Sequence, residues 1–118
     1  MINYHKEVIN ALKTILPTHY EMSLHSGIAT PCISYMELDN SDDATGDTLG
    51  YSRLQYQIKV WGNNIGALQS YAVEIDNKLR PLGFKRIGSN EMYDSESAMI
   101  QKILSYEALA FEYYNKEE

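Results

Sequence analysis

Residues 53–62 read Arg-Leu-Gln-Tyr-Gln-Ile-Lys-Val-Trp-Gly, and the chain continues Asn-Asn-Ile-Gly-Ala-Leu-Gln-Ser-Tyr-Ala to residue 72. Leu54, Tyr56, Ile58 and Val60 alternate with Arg53, Gln55, Gln57 and Lys59. This two-residue period predicts a strand with one face on a core and the other toward water or a partner. Gly62 ends it, and Asn63 or Asn64 caps a helix. Ile65, Leu68, Ala72, Ile75 and Leu79, with Tyr71 beside them, mark one face of that helix at spacings of three and four. Pro81 and Gly83 break it. Strand, helix and a further strand in this order imply a crossover onto the same sheet.

Upstream, His5, Val8, Ile9, Leu12, Ile15 and Leu16 form a helical stripe, with Asn3 to cap its start and Pro17 to stop it. Tyr20, Met22 and Leu24 alternate with polar residues, and Ile33 and Tyr35 alternate with Cys32, Ser34 and Met36, which reads as two short strands. Asp39 to Gly50, Asp-Asn-Ser-Asp-Asp-Ala-Thr-Gly-Asp-Thr-Leu-Gly, has the composition of a surface loop. Downstream, Phe84–Ile87 reads as a strand and Gly88–Ser97 as a polar stretch. Ala98–Tyr114 reads as one long strand or two joined by a bulge near Ala108, where the apolar parity slips. Residues 115–118 read as a frayed tail. The expected fold is α+β: two helices on one face of a mostly antiparallel sheet of four or five strands, in a single domain over 1–118.

The 118 residues include 44% hydrophobic and 22% charged, ordinary values for a folded domain. A net charge of −6 argues against general nucleic-acid binding, which draws its affinity from Lys and Arg. The single Cys, at position 32, excludes an intramolecular disulfide. With no bilayer-length apolar run and no signal-peptide pattern, a reducing cytoplasm is the expected compartment, with no membrane partner. Ten Tyr suit protein interfaces and strands alike.

No pattern announces chemistry. His5, His19, His25 and Cys32 lack metal-ligand spacing, and His5 is expected on the helix surface. Asp39, Ser41 and Asp43 fall at calcium-loop positions 1, 3 and 5, yet Ala44 and Gly50 stand where Gly and a bidentate Glu belong. Cys32 reads as a buried, inert thiol. Nucleophile elbows, phosphate loops and dinucleotide fingerprints do not occur. Lys78, Arg80, Lys85 and Arg86 gather where the second helix ends, where cations complement its dipole. The expectation is a non-enzyme with no catalytic residue, cofactor or metal.

Tyr56-Gln-Ile-Lys-Val-Trp-Gly-Asn-Asn, the amphipathic helix, Leu79-Arg-Pro-Leu-Gly-Phe-Lys-Arg86 and Ile100-Gln-Lys-Ile-Leu-Ser-Tyr-Glu-Ala-Leu109 follow in an order that resembles the tail-completion, or tail-terminator, proteins of long-tailed bacteriophages and prophages. The resemblance covers about half the chain. It implies a head–tail joining role: a ring, commonly of six subunits, that caps the finished tail tube, meets the head connector and lets DNA through its lumen without specific binding. It also implies assembly in the host cytoplasm and residence at the head-proximal end of the virion tail. On that reading, Asp39, Asp42, Asp43 and Asp47 of the loop and Arg53, Gln55, Gln57 and Lys59 of the strand are the expected subunit or partner contacts. The alternatives are a head-closure or minor tail component, and a host α+β module that binds a small molecule.

Overall fold

The computed structural model describes residues 3–21, 27–42 and 51–111. Helix α1 spans His5–Lys13, and strands β1 (Thr18–Tyr20), β2 (Cys32–Asp42) and β3 (Tyr51–Gly62) follow. Helix α2 (Ile65–Leu79) runs into a 3-10 turn at Arg80–Leu82, and β4 (Lys85–Asp94) and β5 (Met99–Phe111) complete the chain. The five strands lie in the order β1-β2-β3-β5-β4. Three neighbouring pairs are antiparallel, and β1 runs parallel to β2. The expected α+β class, with two helices on one face of a mostly antiparallel sheet, is what the chain forms.

The alternation in β3 organises the core. Leu54, Tyr56, Ile58 and Val60 are all buried on the helix side, together with Ile33 and Tyr35 from β2 and Leu104, Tyr106 and Ala108 from β5. Val8 and Leu12 of α1, and Leu68, Ala72, Ile75 and Leu79 of α2, cover them. Each fully buried Leu or Ile contributes roughly 1.5–3 kcal/mol of transfer free energy. Ile65 departs from its expected place: it is the first residue of α2 and is 41% exposed.

The caps follow the side chains. Asn64, not Asn63, caps α2, its Oδ1 accepting from the Ala67 amide at 3.1 Å, a normal length for such a bond. At α1 the N-cap position is Tyr4, which makes no side-chain cap, and the expected cap Asn3 sits one residue earlier, its Oδ1 accepting from the His5 amide at 3.0 Å. That helix ends at Lys13, before Pro17 can act as its stop. After α2 the chain turns through Gly83 at φ 95°, a left-handed conformation that glycine adopts without strain. It then re-enters the sheet as β4. Strand β5 inserts between β3 and β4, so the crossover returns to the same sheet two positions away, with one strand skipped.

Several boundaries differ from the sequence reading. Residues 39–42 are strand, not loop: Asp39 pairs with Gln55, Asn40 with Leu54, Ser41 with Arg53 and Asp42 with Ser52. Cross-strand hydrogen bonding to a well-formed neighbour overrides their turn-forming composition. The polar residues 88–94 are likewise strand, held by β5 although they bury almost nothing themselves. No bulge occurs near Ala108, because β5 pairs with β3 in unbroken register from Ile100 to Phe111. The parity slip at Leu109 is resolved by exposure instead: that side chain is 53% exposed on the face away from the helices. The bulges fall between Glu37 and Asp39 and between Arg86 and Gly88. The extra residues, Leu38 and Ile87, are each 50% exposed. In the first strand, only Thr18–Tyr20 is described as strand, and Met22 and Leu24 lie outside the described residues.

Candidate functional site

Because both helices cover one face of the sheet, the other face is where β3 presents its polar residues. Arg53, Gln55, Gln57 and Lys59 share that outer face, as their alternation requires. Asp39 sits opposite Gln55 on β2 and joins them, its Oδ2 accepting from Ser41 Oγ at 3.1 Å. From β5, Glu107 stands opposite Gln55 and Ser105 opposite Gln57. Only the backbone of Asp42 is described, in β2. Asp43 and Asp47 lie outside the described residues.

Both cations of the predicted set are engaged within the chain. Arg53 Nη1 donates to Glu107 Oε2 across the sheet. Lys59 Nζ donates to Glu21 Oε2 at 2.8 Å and lies 5.7 Å from the centroid of the Trp61 ring. The Trp61 indole donates in turn to Ser34 Oγ at 2.9 Å. Around this group the outer face is closed: Cys32, Ser34, Gln101 and Ile103 are buried although they point away from the helices. Half-buried Gln55, Gln57, Ser105 and Glu107 form the more accessible middle of the face, and exposed Leu109 borders it. The outer face is therefore not uniformly wet. Its end near Gly62 is sealed by Trp61 and the Lys59–Glu21 pair, and its middle offers neutral amides and hydroxyls with one internal ion pair.

Sequence reading places β3 on this face but misses Glu21, Ser34 and Glu107 as its partners. The period-two pattern Gln101, Ile103, Ser105, Glu107 is visible in the sequence. The register that sets Glu107 beside Gln55 is a long-range property and is not.

Other groups are structural. His5 stays partly exposed on α1, as expected, and its ring also packs beside a group of tyrosines, with centroids 5.8 Å from Tyr35, 5.8 Å from Tyr56 and 6.5 Å from Tyr20. Its Nε2 is 3.5 Å from Glu37 Oε1. Edge-to-face packing with the Tyr35 and Tyr56 rings fixes one side of the imidazole while the other side stays in water. Burial, and then the Glu37 charge, push the Tyr56 phenol above its ordinary 10.0. At the far end of α2, Asp76 accepts from the Tyr106 hydroxyl and from Arg86 Nη1, the latter at 2.5 Å, with Arg80 at 3.8 Å. Burial first and the Asp76 bond second hold the Tyr106 phenol well above 10.0. Two of the four clustered cations thus meet one carboxylate. Cys32 is buried, and desolvation raises its thiol.

A cleft of about 250 Å³ opens between residues 30–31 and the start of α2, lined by Thr30, Pro31, Asn63, Asn64 and Leu68. Its lining carries no ionisable side chain. Among the described residues no group of three His, Cys, Asp or Glu side chains could hold a metal ion, and no helix is long and apolar enough to cross a membrane.

No protein-family model matches the chain, and no curated protein matches it in sequence. Solved structures do share its fold. A chain described as part of the virion of a native gene transfer agent (GTA) particle superposes with a TM-score of 0.66 at 14% identity, over 89% of this chain and 84% of that one.

Proposed function

We propose that the chain is a structural protein of a phage-like virion, and that it caps the completed tail tube as a ring and joins it to the head connector. The observation that carries the reading is the fold shared with a chain of the GTA virion over nearly the whole length of both. The strand–helix–strand–strand order of residues 56–109 supports the tail-terminator role within that class. Tail-tube protein and head-connector protein are the proposed partners, beside further copies of the chain itself.

The outer face supplies the contact surface. A 12-residue β3 extends roughly 40 Å at about 3.3 Å per residue, long enough to span a subunit boundary. Neutral amides in its middle form hydrogen bonds to a neighbour without desolvating a charge, so the contact is specific at low cost. The internal Arg53–Glu107 and Lys59–Glu21 pairs hold the strand's ends in shape for it. Asp43 and Asp47, outside the described residues, are proposed as further contacts to the tube or connector on their charge alone. The chain's net charge of −6 makes the lumen wall repel the DNA that passes it.

Gln57 is the position to test. It is half-buried between Met36 and Ser105, and the charges flanking it on the face, Lys59 and Glu107, are each already paired within the chain. Gln57→Arg should leave the monomer folded by circular dichroism and abolish tail completion in a complementation assay. Normal completion by that variant would remove the outer face from the contact surface.

A further inference from the structure

One edge of the sheet is open. Strand β4 is hydrogen-bonded to β5, and among the described residues no strand lies on its other side. Nine of its ten residues are exposed, with Ile87 at 50%, Met92 at 56% and Tyr93 at 66%. Edges that remain single are blunted by charge, by proline or by bulges. Here the bulge lies near one end, and the centre, Gly88-Ser89-Asn90, is neutral. The one central charge, Glu91, is already held on the helix face by Lys102 at 3.2 Å and Gln69 at 3.0 Å.

The order of charges along this edge is self-complementary. Lys85 and Arg86 open the strand and Asp94 closes it. An antiparallel pair of β4 strands centred on Asn90 sets Gly88 against the second copy's Met92 and Ser89 against its Glu91. Strict alternation would then place Lys85 and Asp94, nine residues apart, on opposite faces. The bulge removes that conflict. Pairing with β5 puts Lys85, Gly88, Met92 and Asp94 on the outer face, and Arg86, Ser89, Glu91 and Tyr93 on the helix face. With Ile87 as the extra residue, Arg86 meets the second copy's Tyr93, and Lys85 meets its Asp94, each pair on one face.

The geometry points to a two-fold dimer in which β4 of one copy adds to β4 of a second, joining two five-stranded sheets into one. Symmetry makes the Lys85–Asp94 contact twice and the Arg86–Tyr93 contact twice. The contact is isologous, so it is distinct from the head-to-tail contacts of a ring and stands whether or not the ring reading holds.

Charge reversal with rescue tests it. Sedimentation of the full chain across a concentration series should show a monomer–dimer equilibrium. Lys85→Asp and Asp94→Lys should each weaken the dimer by about tenfold or more, because each sets like charges opposite one another twice. The double variant should recover wild-type affinity, since every pair is restored with its signs exchanged. Circular dichroism checks that the exposed substitutions leave the fold intact. Asn90→Cys should cross-link to itself under mild oxidation, with buried Cys32 silent. A wild-type chain that stays monomeric at every concentration, an oligomer indifferent to both single reversals, a double variant without rescue, or a dimer that Asn90→Cys fails to cross-link would overturn the inference.

Discussion

Lys59 Nζ lies 2.8 Å from Glu21 Oε2, which ties the segment after β1 to the middle strand of the sheet on the face away from the helices. Both side chains are largely withdrawn from water, at 16% and 20% exposure, and Glu21 Oε1 is buried without a partner among the described residues. A pair in this setting is a constraint on change more than a source of stability. It also means that the two cations of β3 are not a free basic patch for an acidic partner.

Removing one member should therefore cost more than removing both. Lys59→Met leaves the Glu21 carboxylate desolvated and uncompensated, and is expected to destabilise by about 2–3 kcal/mol. The double variant Glu21→Leu/Lys59→Met should recover most of that loss. Urea denaturation of the two single variants and the double variant measures the coupling.

The Tyr106–Asp76–Arg86 network has the same asymmetry. Tyr106→Phe removes one hydrogen bond and is expected to cost about 1 kcal/mol. Asp76→Ala strips the acceptor from a buried hydroxyl and the partner from Arg86, and should cost about 2–3 kcal/mol. Equal losses in thermal denaturation would show that the hydroxyl finds another acceptor.

Alkaline pH should weaken the fold. Tyr56 and Tyr106 have phenols raised above 10.0 by burial, so the folded state keeps protons that the unfolded chain gives up. Their contribution is fully present below pH 10 and is lost as pH rises above it. The slope is about 1.4 kcal/mol per pH unit for each phenol. Urea midpoints measured from pH 8 to pH 11 should fall beyond pH 10, and Tyr106→Phe should flatten that fall.

Gly83 turns the chain from the end of α2 into β4 at φ 95°, with nothing near its Cα to block a side chain. Backbone strain alone then decides the effect of Gly83→Ala, an expected loss of about 1 kcal/mol. Gly83→Asn should lose less, since Asn tolerates the left-handed region. Thermal melts of the two variants compare them.

The residues of β3 and α2 made the centre of this fold legible, because each element buries one clean face and periodicity reports burial directly. Leu54 to Val60 and Leu68 to Leu79 lie where their spacing put them. The elements that sequence reading misjudged are those whose own residues bury little. Asp39–Asp42 and Gly88–Asp94 carry turn-forming and polar residues, and they are strands because a stronger neighbour supplies the hydrogen bonds. Leu109 breaks parity without a bulge because a residue on the outer face is free to remain exposed. The outer face was readable as a polar face and not as a network: the partners of Arg53 and Lys59 are 54 and 38 residues away in sequence. His5 is the same case at the edge of α1, a partly exposed polar residue packed beside Tyr20, Tyr35 and Tyr56 from three different strands.

The central claim is that this chain closes the end of a virion tail. Light scattering and negative-stain imaging of the purified protein, alone and mixed with uncapped tail tubes from the same genome, test it most directly. The account expects rings, or a cap of constant width at one end of each tube, and loss of both with Gln57→Arg. A protein that forms no ring and leaves the tube ends bare would contradict it.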